Sequence, residues 1–220
     1  MRQSNNAGRD RAQRRRVLLG MAGLAATGLV ATSLTGCALP GSGPPPQRVR
    51  LNPATSFPPN MPSAGWKLVV SEPSATLSIN TARIMVIDRA GTIQYLANGE
   101  WASRAPEMVM ELLVESFQNS NRILTVGDRR SRIRPDFELE SRLTAFQIVA
   151  ESPTSGVVHV SLDASLLQRP QRNVLSSLPF SSSAEVNSRT LEAVFAAFDG
   201  ALQDVMSQVV EWTLVTGAGA

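Results

Sequence analysis

This 220-residue chain holds one cysteine (Cys37), one histidine (His159), one lysine (Lys67) and one tyrosine (Tyr95). With a single cysteine no disulfide can close within the chain, and one thiol with one histidine falls short of the ligand set a structural metal needs. With a single histidine the serines of "SSLPFSSSAEVNS" have no base to activate them. His159 itself falls on the polar side of an alternating segment with Asp163 four residues on, the pattern of a surface residue and not of an acid–base pair. Glu107, Glu111 and Glu115 recur every four residues, as on the solvated face of a helix. Glu138 and Glu140 stand two apart with Arg142, which suits ion pairing across strands. No catalytic residue and no metal ligand set emerges, so a non-enzymatic role is expected. The lack of lysine also removes any lysine-rich stripe of the kind that binds nucleic acid.

What the chain does have begins at its N-terminus. "RDRAQRRR" places five arginines between Arg9 and Arg16, and the run 17–34, "VLLGMAGLAATGLVATSL", has no charge. A basic stretch, an apolar stretch and then small residues is the layout of a secretory signal. Leu34, Thr35, Gly36 and Cys37 resemble a lipobox, after which a lipoprotein signal peptidase leaves an acylated cysteine as the first residue. The expected modification is a covalent N-acyl diglyceride on Cys37, with no other cofactor. A membrane-spanning helix is the weaker reading, because Gly20, Gly23 and Gly28 dilute the run. A nucleophilic Cys37 would need a base held on a rigid scaffold, and the flanking sequence has none. Arg14 and Arg15, followed by Val17 and Leu18, resemble a twin-arginine export signal, which leaves the Sec and Tat routes both open. The first 36 residues carry six arginines and one acid, so the remainder has 15 basic and 17 acidic residues and a formal charge of −2. The high isoelectric point thus belongs to the targeting segment.

Four segments are expected: a signal peptide 1–36, a lipidated and proline-rich stalk 37–62, a folded domain 63–214 and a flexible tail 215–220. The stalk holds eight of the 14 prolines and is expected to be extended, with a short strand near Val49–Leu51 at most. In the domain, "WKLVV", Arg83–Ile87 and Thr92–Leu96 read as strands. Ala105, Met108, Val109, Leu112, Leu113 and Phe117 recur at helical spacing, with Pro106 in the first turn. Strands follow at Ile123–Val126 and Phe137–Val149. Val158, Val160, Leu162, Ala164 and Leu166 then alternate strictly with polar residues. A last strand is expected to end near Pro179, before a helix over Ser188–Thr213. The fold class is α+β: a mostly antiparallel sheet with two amphipathic helices packed on one face. Trp66 and Trp101 are expected in the core. Arg129, Arg130, Arg132 and Arg134 form the one local basic patch after the signal, either a solvated loop or a contact for an acidic partner or lipid headgroups.

"WKLVVSEP", "TARIMV", "IQYLANGEWASRAPEMVMELLVESF", "RLTAFQIV", "VVHVSLDASLL" and the closing "VVEW" resemble the ABC-type transport auxiliary lipoproteins. The resemblance implies a non-enzymatic accessory of a transporter built from an ATPase, a permease and a mammalian-cell-entry (MCE) domain protein, moving lipid between the inner and outer membranes. Its partners would be the MCE-domain protein with its permease and ATPase, the membrane through the lipid anchor, and further copies of itself in a homo-oligomer. Nucleic acid is not among them. Ala38, and not aspartate, after the cysteine points to a periplasm-facing lipoprotein of the outer membrane. The alternative function is an envelope lipoprotein that activates a cell-wall synthesis enzyme. The docking surface is expected at the arginine patch, near the polar row His159, Ser161, Asp163 and Ser165.

Overall fold

The computed structural model describes residues 45–188 and 190–220. Arg14, Arg15, the residues read as a lipobox, Leu34, Thr35, Gly36 and Cys37, lie outside them, as do the rest of the expected signal peptide and the first part of the expected stalk.

The elements are β1 (Gln47–Val49), β2 (Ala64–Val70), β3 (Ser74–Ala75), β4 (Arg83–Ile87), β5 (Ile93–Trp101), α1 (Ala105–Ser120), β6 (Ile123–Asp128), β7 (Phe137–Ala150), β8 (Gly156–Gln168), β9 (Asn173–Val186) and α2 (Leu191–Ala218). The spine is β7. Its 14 residues are long enough for β2, β3 and β4 to lie one after another along one side, all parallel to it. Along its other side β8 pairs antiparallel, and β9 pairs antiparallel with β8. Beyond these, β6 is parallel to β2, β5 is antiparallel to β4 and β1 is parallel to β5.

The sheet is mixed: its two longest ladders, β7–β8 and β8–β9, are antiparallel as expected, but five shorter pairings among the described residues are parallel. Three hairpins connected by short turns are antiparallel, as a short turn requires. The remaining pairings join strands far apart in sequence, and there the direction is set by crossovers that local pattern does not reveal.

The strict alternation of β8 does what it promised. Val158, Val160, Leu162, Ala164 and Leu166 are buried, and His159, Ser161, Asp163 and Ser165 face the other way. Opposite them on β7, Leu139, Leu143, Phe146 and Ile148 continue the same apolar face. Both helices cover it. α2 brings Phe198 against Phe146 and Trp101, with ring centroids 5.0 Å away in both cases. A side chain such as Phe198, fully buried, contributes roughly 2–3 kcal/mol. Thr190 caps α2 by accepting from the Ala193 N–H at 3.3 Å, and Asn121 ends α1 in the left-handed region at φ 52°. Trp101 is thus in the core as expected, while Trp66 is only half-buried, edge-on to Phe137 at 4.9 Å.

Three boundaries differ from expectation. First, β9 runs on through Pro179 to Val186. It is an edge strand, and alternate N–H groups of an edge face solvent, where a proline removes nothing. Second, the expected tail 215–220 is mostly helix: α2 continues to Ala218, Leu214 is buried, and Gly217 lies against the Trp66 ring. The lack of a side chain at Gly217 is what lets the indole close over the helix.

Third, most of the expected stalk is part of the domain. β1 joins the sheet, and residues 50–62 form a strap that touches both helices. Leu51, Ala54 and Met61 are buried in the common core. On α1, Ser116 Oγ accepts from the Ala54 N–H at 2.9 Å and Asn119 Nδ2 donates to the Ala54 carbonyl at 3.0 Å. On α2, Asp199 accepts from the Asn52 N–H at 2.6 Å and Ser207 Oγ donates to the Ser56 carbonyl at 3.0 Å. Proline keeps such a segment out of helix and sheet, but it does not keep it off the core. The first strand of the sheet, β1, begins at Gln47.

Candidate docking surface

The start of β7 and the end of β8 lie at one end of the sheet, since Phe137 pairs with Gln168. Two loops meet there. Residues 129–136 connect β6 to β7, and residues 169–172 connect β8 to β9. They are joined by a hydrogen bond from the Arg169 N–H to the Asp136 carbonyl at 2.8 Å. This end therefore gathers Arg129, Arg130, Arg132 and Arg134 with Arg169 and Arg172. The last two escape a reading by runs of charge, although "QRPQR" between two strands was the available signal.

At the centre is Glu138, only 4% exposed. Its carboxylate accepts from Ser71 Oγ at 2.8 Å and pairs with Arg129, while Arg169 and Arg172 approach at 3.6 and 3.8 Å. Arg129 also donates to Ser71 Oγ at 2.9 Å, closing a triangle. Glu140, one step along the same face, pairs with Arg172 and lies 3.4 Å from Arg129. Burial, the largest single influence, pushes the Glu138 carboxyl up. The Ser71 hydroxyl and the charges of Arg129 and Arg169 together outweigh it, and the pKa falls below the ordinary value. The expected partner Arg142 takes no part. It sits on the same strand as the two acids, and the guanidinium groups that reach them come from loops.

The 129–136 loop is also held from beneath. Asp128 accepts from the Arg130 guanidinium at 2.6 Å, and from the Arg130 N–H and Ser131 Oγ at 3.0 and 2.8 Å. The hydrogen bond from the Arg130 side chain is the main cause of its lowered pKa. Gly127 is required here, because a Cβ would lie 2.4 Å from Ser131 Oγ. The four arginines of the patch are thus unequal. Arg129 is committed to Glu138 and Arg130 to Asp128, whereas Arg132 and Arg134 are exposed and form no ion pair among the described residues. A shallow depression of about 410 Å³ beside this network is lined by Ser71, Glu72, Ser74, Arg129 and Glu140.

His159 pairs across the sheet with Gln147 and Ser183. Asp163 is on the same face but four residues along, roughly 13 Å away, too far for proton exchange. Among the described residues no group of three His, Cys, Asp or Glu side chains could hold a metal ion, and no helix is long and apolar enough to cross a membrane.

A family model described as "ABC-type transport auxiliary lipoprotein component" matches residues 50–210. The crystal structure of a protein from Xanthomonas campestris is 28% identical with a TM-score of 0.71, covering 79% of this chain and 98% of that one. A second solved structure, of an uncharacterized protein, has a TM-score of 0.60 at 11% identity, covers 76% of this chain and 97% of that one, and shows the fold alone. An uncharacterized protein of Bradyrhizobium diazoefficiens is 27% identical over 181 residues, which is 80% of this chain and 47% of that protein. This chain thus spans about half the length of that curated relative.

Proposed function

Because the chain belongs to the ABC-type transport auxiliary lipoprotein family, we propose that it serves a transporter as a non-catalytic accessory, held to a membrane by a lipid on Cys37 and acting through its arginine-rich end. In the full form of this proposal it is exported and faces the periplasm from the outer membrane. Its partner is an MCE-domain protein coupled to an ABC permease and ATPase, and the cargo is lipid passing between the two membranes. The acyl groups on Cys37 are its only non-protein component.

One observation carries the docking role. The network around Glu138 fixes the backbone of two loops, and on that fixed frame Arg132 and Arg134 stand exposed without a carboxylate partner. Guanidinium groups that have no ion-pair partner to give up, carried on a fixed loop, can meet an acidic surface without breaking another pair. Arg129 and Arg130 already hold the loops in place, so reversing them would test folding as much as docking. The informative variant is Arg132→Glu with Arg134→Glu. Its binding to an immobilised MCE-domain partner should fall about tenfold at low salt, and by less at high salt where such charges are screened. Undiminished binding at both salt concentrations places the interface elsewhere.

Self-association is part of the same proposal. β9 is a 14-residue edge strand whose one charged residue is Glu185, and Val174 and Leu178 are 60% and 45% exposed along it. An edge with so little charge is open to pairing with another copy.

A further inference from the structure

The strap shortens the link to the membrane. Between Cys37 and β1 only residues 38–46 remain, nine residues, which even fully extended reach about 30 Å. The 26 residues of the expected stalk would have reached more than twice as far.

Direction follows from register. β1 is parallel to β5, with Gln47 level with Gly99. Traced back toward Cys37, the chain therefore leaves β1 along β5 toward Ile93 and the turn 88–92. Six residues separate Gly99 from Ile93, at most about 20 Å. The tether can cover that distance with length to spare. The hairpin 151–155 lies at this same end, because Ile87 is level with both Ile93 and Val149. The depression of about 480 Å³ between Asp88, Arg89, Glu151 and Pro153 joins the two turns.

The arginine end is opposite, at the start of β7, whose 14 residues span about 40 Å. To bring that end to the membrane the tether would have to double back and run its whole length beside the domain. Resting on the lipid-anchor reading of Cys37, we infer that the domain stands on its own membrane by the end that carries the turns 88–92 and 151–155. The arginine end then points away, toward a partner approaching from the periplasm and not toward lipid headgroups of the anchoring bilayer.

The test uses the full mature chain, purified with its lipid and inserted in phosphatidylethanolamine–phosphatidylglycerol vesicles that carry a headgroup-linked energy acceptor. Acylated Cys37 has no free thiol, so one fluorescent donor can be placed at Ala90→Cys or at Gln171→Cys, both exposed and at opposite ends. Transfer should be several-fold stronger from position 90 than from position 171. Inserting about ten Gly/Ser residues after Gly43 should reduce that preference by freeing the domain to tumble. Equal transfer from the two sites, or stronger transfer from 171, overturns the orientation while leaving the anchor intact. The mass of the mature N-terminus is measured first: an unacylated Cys37 overturns the anchor reading itself.

Discussion

Replacing Glu138 by glutamine tests whether the network at the arginine end holds two loops together or merely decorates the surface. The amide keeps the shape and can still accept from Ser71 Oγ, now 2.8 Å from the carboxylate, so the substitution isolates the charge. Breaking a fully buried ion pair is worth about 3–5 kcal/mol. Here the arginine side chains are 59%, 31% and 47% exposed, and they can turn to water, so the loss is discounted to about 2 kcal/mol. For a domain of this size that is a fall of about 4–8 °C in Tm. Glu140→Gln is the control, since Glu140 is 35% exposed and should lose no more than about 0.5 kcal/mol. Urea unfolding of residues 38–220 measures both. The pH dependence supplies a second arm. The pKa of Glu138 is lowered in the folded state from an ordinary 4.5. Its contribution is therefore complete above that value and is lost as pH falls below it. The wild type should lose stability relative to Glu138→Gln as the medium is acidified past pH 4.5. If the two substitutions cost the same at neutral pH, or the gap does not narrow in acid, the network does not hold the loops.

Three further outcomes are expected. Leu51→Ala should destabilise the domain by about 2–5 kcal/mol in urea unfolding, because Leu51 is 2% exposed; a change within about 0.5 kcal/mol would mean the strap is not part of the core. Gly200→Ala and Gly217→Ala should differ in sign although both lie in α2. Nothing lies within 4 Å of a Cβ at Gly200, which should gain up to about 1 kcal/mol of helix propensity, whereas at Gly217 a Cβ meets the Trp66 ring at 2.5 Å and thermal melts should show a net loss. Cys37→Ser should leave the precursor uncut and without lipid, and incorporation of labelled palmitate into that variant would remove the basis for the anchor.

What could be foreseen from sequence was whatever depends on neighbours in the chain. The alternation of β8, the helical spacing of α1 and the bounds of β4, Arg83–Ile87, all follow from local periodicity. The turn between β4 and β5 and the loop 151–155 between β7 and β8 were visible for the same reason, whereas the pairing of β9 with β8 was not read. Parallel pairing was not, because β2, β3 and β4 find β7 across long stretches of chain, and nothing within a strand states the direction of a distant neighbour. The Glu138 network was half legible. Its acids and the 129–134 arginines stand close in sequence, but Arg169 and Arg172 arrive only because β8 returns antiparallel to the start of β7.

The strap shows how composition can mislead where spacing would not. Eight prolines in 37–62 suggested a free stalk, and proline does exclude helix and central strand. It says nothing, though, about whether an extended chain is docked. Leu51, Ala54 and Phe57 recur every third residue, the interval at which an extended threefold chain returns a side chain to the same edge. Leu51 and Ala54 are in fact buried, and Phe57 packs against the core. The difference reaches function through length. A free stalk would let the arginine end meet either its own bilayer or a distant partner. In the proposal of a lipid on Cys37, a nine-residue tether leaving beside β5 holds one end of the domain to the membrane and turns the other outward. On that proposal, the same burial that stabilises residues 50–62 also selects the surface a partner reaches.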